Sequence, residues 1–240
     1  MLVVHASMRA VGPVAGGAAG LLDALRAAIG PPGTLVMPAM TGTCRPEPFD
    51  ARRSPSRGMG VLAEALRRAP GALRSPHPTS SFAALGPQAA AITAAQPLTP
   101  PHGTDSPIGR VHGLDGRILL LGVGHERDTT LHLAELLAGV PYAVTRWAVV
   151  AGLDGPRRVD FAENDHCCRN FALADAWLRE AGVQREGRVG TAAARLVTSR
   201  DLVRVVVPRL RAAPLRFLCP PGAGCGRCDE ARAAAVAAGG

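Results

Sequence analysis

Apolar residues fall into short runs punctuated by Gly and Pro, and their spacing switches between strand-like and helix-like periods along the chain. LVVH (2–5) and TLVMP (34–38) read as buried strands, the second stopped by Pro38. Between them, ASMRAVGPVAGG reads as a loop and LLDALRAAIG as a helix with Gly30 at its C-cap. Residues 41–58 are rich in Pro and Arg and read as loop. MGVLAEALRRA reads as a helix ending before Pro70, SPHPTSSF as loop, and LGPQAAAITAAQ as a helix with proline in its first turn. RILLLGVG (117–124) is the clearest strand, apolar throughout as a centrally buried strand should be. HERDTTLHLAELLAG continues it as loop and helix, with Asp128 or Thr129 at the N-cap. WAVVAG and RRVDF flank the turn LDGP as a hairpin. CCRNFALADAWLREAG and DLVRVVVPRLRA read as helices, the second broken by Pro208. Alternating strands and helices followed by a hairpin predict an α/β fold: a single domain over 1–240, with a mixed central sheet flanked by helices.

Composition narrows the function. With 240 residues, 47% hydrophobic, the chain can bury a sizeable core and is not a disordered polymer. It lacks a run of about 18 uncharged apolar residues, so no membrane span is expected. The N-terminus has no basic segment followed by a long apolar one, so no signal peptide is read and a cytoplasmic protein is expected. The net charge of +8 invites a nucleic-acid partner. Yet all 27 basic residues are Arg, scattered in runs no longer than two, as a GC-rich coding bias produces without selection for a partner. Aromatics at 3% are too few for base-stacking platforms. Nucleic acid is therefore a minority reading.

The chemistry concentrates in a few segments. After RILLLGVG, at the carboxyl end of a central strand where α/β proteins bind ligands, Thr129, His132 and Glu135 recur every three residues on one helix face. A titratable imidazole beside a carboxylate that could orient it suits acid–base work, although a solvated His and Glu would give the same spacing. Arg127 occupies the last glycine position of a dinucleotide fingerprint and rules that motif out. The first strand–loop–helix junction, with His5, Ser7 and Arg9 before Gly12, is a candidate anion cradle. ENDH (163–166) is an acidic knot in a basic protein. The tail LCPPGAGCGRCDEAR pairs Cys225 and Cys228 as C-x-x-C, with Cys219 six residues earlier. That set suits tetrahedral zinc, with His166, Cys167 or Cys168 open as the fourth ligand and Cys168 taken here. QREGRVG (184–190) nearly matches an acyl-CoA loop of the GNAT acetyltransferases, but Val189 stands in its last position.

Taken together, VVHASMRAVGPV, GTLVMP, EPFD, RSPHP, FAALGPQA, the long stretch from SPIGRVHG to AGVPY, ENDHCCRNFALADAWL and GCGRCDEAR resemble the aminoglycoside 3-N-acetyltransferases of the antibiotic N-acetyltransferase family. ENDHCC and the C-x-x-C tail are most like the type IV, apramycin-accepting subgroup. The resemblance implies an α/β fold distinct from GNAT and acetylation of the 3-amine of a 2-deoxystreptamine aminoglycoside by acetyl-CoA, giving antibiotic resistance. It carries the catalytic histidine onto His132 and the drug-binding acids onto Glu163 and Asp165. Glu135, close in sequence, or else Asp165 or Glu163 would orient His132. Acetyl-CoA is expected along His5, Ser7 and Arg9, with Arg110 near its phosphates and Ser81, Ser106 and Thr130 as further polar contacts. Since no cysteine neighbours His132 in the chain, direct transfer is expected rather than an acetyl-enzyme. One departure is Cys44–Arg45, which stand where type IV relatives carry acidic residues. The competing readings are an N-acetyltransferase for a biosynthetic amine and a zinc-stabilised basic domain on nucleic acid. Monomer and homodimer are both open.

Overall fold

The computed structural model describes residues 1–152 and 154–239. It opens with β1 (Leu2–Ala6), one helical turn α1 (Met8–Val11), α2 (Gly17–Ile29) and β2 (Leu35–Pro38). Next come β3 (Arg45–Phe49), α3 (Gly60–Arg68), β4 (Leu73–Arg74), β5 (Phe82–Leu85), α4 (Ala89–Thr93) and α5 (Pro107–Gly113). β6 (Arg117–Leu121) leads through a 3-10 turn at His125–Arg127 into α6 (Thr130–Ala138). β7 (Val144–Val150) and β8 (Arg157–Glu163) precede a second 3-10 turn, Arg169–Ala172, and α7 (Leu173–Glu180). β9 (Arg185–Val189), β10 (Ala192–Thr198), α8 (Ser199–Ala212) and α9 (Gly226–Gly239) complete the order.

The main sheet runs β4-β5-β2-β1-β6-β10-β9. Its middle strands β2, β1 and β6 are parallel, and the flanking pairs are antiparallel. Alternation sorts side chains to two faces. Val3, Val36, Ile118 and Leu120 pack with the helices α4 to α8. Leu2, Val4, Leu35 and Met37 pack under α2 and α3. This is the α/β sheet, mixed and covered by helices on both faces, that the sequence predicts. β7 and β8 form the expected hairpin, extended by β3 into a second, three-stranded sheet. The turn expected at LDGP includes Leu153, outside the described residues.

Several elements differ from expectation. The stretch read as a loop after β1 contains α1, capped by Ser7. β3 (RPEPF) arises inside the Pro-rich loop, at a sheet edge where proline needs no ladder N–H. Phe82, read as the end of a loop, and Leu85, read as the start of a helix, belong to the buried strand β5. α5 and the strands β9 and β10 have no counterpart in the sequence reading. REGRV, the GNAT-like decoy, is an exposed edge strand. Pro208 does not break α8, because its ring and the Arg204 carbonyl that it leaves without a partner lie on the exposed face. Leu202, Val206 and Leu210 bury the opposite stripe.

Candidate functional site

The end of β6 is built for close approach. Gly122 has φ +67, and a Cβ there would come within 2.4 Å of Ala10 Cβ in α1. Beyond it, Asp128 is wholly buried and starts α6. Thr129 occupies the backbone N-cap position, but the capping oxygen is Asp128 Oδ1, which accepts from Thr130 N at 3.0 Å. Asp128 Oδ2 faces His125 Nδ1 at 3.1 Å. Burial opposes its ionisation, yet His125, His5 and the Thr130 N–H keep its pKa low. Leu131 and Leu133, fully buried at about 1.5–3 kcal/mol each, hold α6 against the sheet and α8.

That packing fixes His132. Its Nδ1 donates to Glu135 Oε2 at 2.8 Å, so the spacing read from sequence is a real pair. Glu135 is fully buried, and its other oxygen accepts from Tyr142 at 2.5 Å and from His166 Nε2 at 2.8 Å. Burial works against the charge, but His166 and His132 hold the Glu135 pKa down to about 2. An anchored carboxylate on Nδ1 leaves His132 Nε2 as the acceptor nitrogen. Burial pulls the His132 pKa down, but Cys168 and Glu135 outweigh it and raise it well above the ordinary value. His102 stacks on the His132 ring, centroids 5.1 Å apart and planes 17° off parallel. Burial and the His132 charge keep His102 neutral, its pKa well below normal.

Two further carboxylates face His132 across a cleft of about 1150 Å³. Glu163, at the end of β8, is 7% exposed and accepts from Ser80 Oγ at 3.2 Å. Burial first, then the Asp165 charge, pushes its pKa up to about 7. Asp165 behaves oppositely: burial opposes ionisation, but Arg227 and Arg146 hold its pKa low. Arg146 Nε donates to Asp165 Oδ2 at 2.7 Å, and Arg227 donates to Oδ1. Arg146 also grips Glu230 through two 2.7 Å bonds. The same cleft is lined by His5, Ser7 and Arg9, and by Met37, Cys44 and Arg57. It thus takes in the carboxylates and the β1–α1 junction, with His132 in its wall.

The structure brings His132, Glu135, Glu163 and Asp165 together but separates the two carboxylate roles: Glu135 orients His132, whereas Asp165 pairs with arginines. It does not bring Ser81, Ser106 or Thr130 to the cleft. Ser81 is buried and donates to the Ala39 carbonyl; its neighbour Ser80 lines the cleft instead. Ser106 caps α5 by accepting from Gly109 N at 3.1 Å. Thr130 Oγ1 is buried without a partner among the described residues. Cys168 is not with the other thiols. Its backbone is left-handed at φ +58, which turns adjacent side chains apart. Cys167 therefore joins Cys219, Cys225 and Cys228, while Cys168 Sγ lies 3.6 Å from His132 Nε2. A cysteine does neighbour the histidine, contrary to the reading from chain order. Sequence reasoning misses Tyr142, His102, Arg146 and Arg227 altogether. Only His166 carries a signal, its place in ENDHCC, and there it reads as a metal ligand.

A family model described as aminoglycoside 3-N-acetyltransferase matches residues 3–211. The chain is 52% identical to aminoglycoside N(3)-acetyltransferase IV of Salmonella sp over 225 residues, 93% of this chain and 85% of that protein. The apoenzyme of aminoglycoside acetyltransferase AAC(3)-IVa superposes with a TM-score of 0.92 at 53% identity, covering 97% of this chain and 90% of the other. A histidine-to-alanine mutant of that enzyme, solved with a gentamicin and with apramycin, gives TM-scores of 0.91 and 0.86 at 52% and 51% identity. These cover 97% and 95% of this chain, and 90% of each mutant chain. AAC-IIIb in a binary complex with CoASH gives 0.81 at 31% identity, covering 91% of each chain.

Proposed function

The chain belongs to the aminoglycoside 3-N-acetyltransferase family, and from that premise we propose that it moves the acetyl group of acetyl-CoA directly onto the 3-amine of a 2-deoxystreptamine aminoglycoside, with His132 as general base. It is an acyltransferase acting on aminoglycosides, an activity that gives resistance to them. The observation that carries the mechanism is His132 held through Nδ1 by Glu135 at 2.8 Å, with Nε2 left as the accepting atom beside the cleft.

The drug is a polycation. Glu163 and Asp165 are the cleft carboxyls that would hold its ammonium groups, and wherever they are ionised their field raises the pKa of the bound amine. The ammonium must therefore first give up one proton to solvent to become a nucleophile. His132 Nε2 takes the second as the nitrogen lone pair attacks the thioester carbonyl. A C–N bond forms, the tetrahedral intermediate collapses, the C–S bond breaks, and the imidazolium returns the proton to the leaving CoA sulfur. Glu135, ionised throughout, stabilises that imidazolium. The adenine-nucleotide end of CoA would run toward Ser7 and Arg9, where Arg9 offers a cation and the α1 turn offers N–H groups. The CoASH complex of AAC-IIIb supports acetyl-CoA as cosubstrate. The gentamicin and apramycin complexes of the AAC(3)-IVa mutant support those drugs as acceptors. We take residues 1–240 as one domain acting in the cytoplasm; among the described residues, no helix is long and apolar enough to cross a membrane.

The test is acetyl-CoA-dependent thiol release with apramycin or gentamicin. His132→Ala should abolish it, and initial-rate patterns for the wild type should intersect, as a ternary complex requires. Unchanged turnover in His132→Ala overturns the assignment of the base, and parallel lines overturn direct transfer.

A further inference from the structure

Four of the six cysteines meet at one point remote in sequence. The Sγ atoms of Cys167, Cys219, Cys225 and Cys228 all lie within 4.8 Å of one another. Cys167 is 3.4 Å from Cys219 and 3.5 Å from Cys228. These separations exceed the disulfide bond of about 2.05 Å, and all four are free thiols. The two short ones fall a few tenths of an ångström inside the sulfur–sulfur spacing of about 3.8 Å that follows from four Zn–S bonds of about 2.3 Å in a tetrahedron.

The surroundings are those of a closed structural site. Cys219 and Cys228 are buried, packed with Tyr142, Val144, Leu218 and Ala231. The ligands come from three segments: the loop after β8, the stretch before Pro220, and the C-x-x-C that opens α9. A zinc ion with four thiolates carries two net negative charges and needs a neighbouring cation. Arg232 supplies one: its Nη2 donates to the Cys219 carbonyl, and its buried Nε has no partner among the described residues.

We propose that Cys167, Cys219, Cys225 and Cys228 bind one structural zinc ion that pins the start of α9 to the loop carrying His166 and Cys168. The consequence reaches the cleft. α9 brings Arg227 to Asp165 and Glu230 to Arg146, so the ion holds the wall against which a drug would lie. Cys168 takes no part, since its sulfur faces His132. All four sulfurs bind as thiolates, so loading releases protons and mercurials compete for the site.

Elemental analysis of the full chain, purified without chelator, should find about one zinc per protein, released in step with mercurial titration of four thiols. Cobalt-substituted protein should show strong thiolate-to-metal charge-transfer absorption. That readout needs no folded variant, and its intensity separates four thiolates from an ion at His132, Glu135 and His166, which could draw on the single thiol of Cys168. Cys225→Ser should lose the metal and Cys44→Ser should keep it. Removing the metal should change the KM for the aminoglycoside more than that for acetyl-CoA. Less than a tenth of an equivalent of zinc, iron in its place, disulfides among the four, or cobalt bound without charge-transfer bands would each overturn the proposal.

Discussion

Cys168 Sγ stands 3.6 Å from His132 Nε2, at the ring nitrogen that Glu135 does not occupy. A thiol, an imidazole and a buried carboxylate in line could support a nucleophile as well as a general base. The two roles separate cleanly. For direct transfer, Cys168→Ser should lower kcat by less than about tenfold, and intact mass after incubation with acetyl-CoA alone should show no acetyl adduct. An adduct that a subsequent pulse of drug removes would make Cys168 the acceptor.

His132→Ala should cost about 10²–10⁴ in kcat, the range for losing a positioned base. Glu135→Gln keeps the volume but leaves a neutral group on Nδ1, so it should lower kcat by a smaller factor. Glu135→Ala strips three donors of one buried acceptor, and breaking such a buried pair costs about 3–5 kcal/mol. It should therefore unfold at markedly lower temperature, which differential scanning calorimetry would detect.

The pH profile follows from the raised His132 pKa. Below that pKa the ring already holds its proton and cannot accept another. The acid limb of kcat/KM should therefore lie above the ordinary histidine value of about 6.5. Glu135→Gln should move the limb toward acid, because it removes one of the charges that favour the imidazolium. A limb unchanged in Glu135→Gln would disconnect the pair from catalysis.

Glu163 makes a prediction of opposite sign to that for Glu135. Its folded pKa is raised to about 7 by burial and Asp165. A carboxyl with a raised folded pKa favours the native state less as pH climbs from its unfolded value through 7. Glu163→Gln should therefore stabilise the unliganded protein at pH 8, by on the order of 3 kcal/mol as an upper figure. The same change should raise the KM for the aminoglycoside. For Glu135, held down to about 2, the stability it confers is complete above its unfolded value and fades as pH falls toward 2. Thermal shifts at several pH values would check both.

Asp165 is occupied in the unliganded enzyme by Arg146 and Arg227. Arg227 is 58% exposed and leaves more readily than Arg146, 11% exposed. A drug ammonium that reaches Asp165 must displace it. Arg227→Ala should therefore lower the KM for the aminoglycoside by a few fold and leave that for acetyl-CoA unchanged. A raised aminoglycoside KM would show that the guanidinium itself contributes to binding.

The parts of this site that lie along one element are legible in the sequence. Thr129, His132 and Glu135 share the α6 segment, so a spacing of three suffices to predict their neighbourhood. Partners that arrive from elsewhere are not legible: Tyr142 precedes β7, and His102 lies between α4 and α5. Cys167 and Cys168 show why adjacency misleads, since one left-handed residue sends neighbouring sulfurs to different sites. In the fold, β1, β2 and β6 announce themselves by apolar runs. β10 pairs directly with β6, but three alanines give it no such signal. β9 is exposed along its whole length and carries no alternation.

Tyr142, His166 and His132 all converge on the carboxylate of Glu135. On the proposed mechanism, one side chain thus serves both the reaction and the integrity of the interior. Adaptation to a new antibiotic has little room to begin there, because any exchange that retunes the base also loosens the protein. The rim is different. Arg227, Glu230 and Cys44 border the same cleft without bearing on the hub, so drift in drug spectrum has its open routes at the periphery.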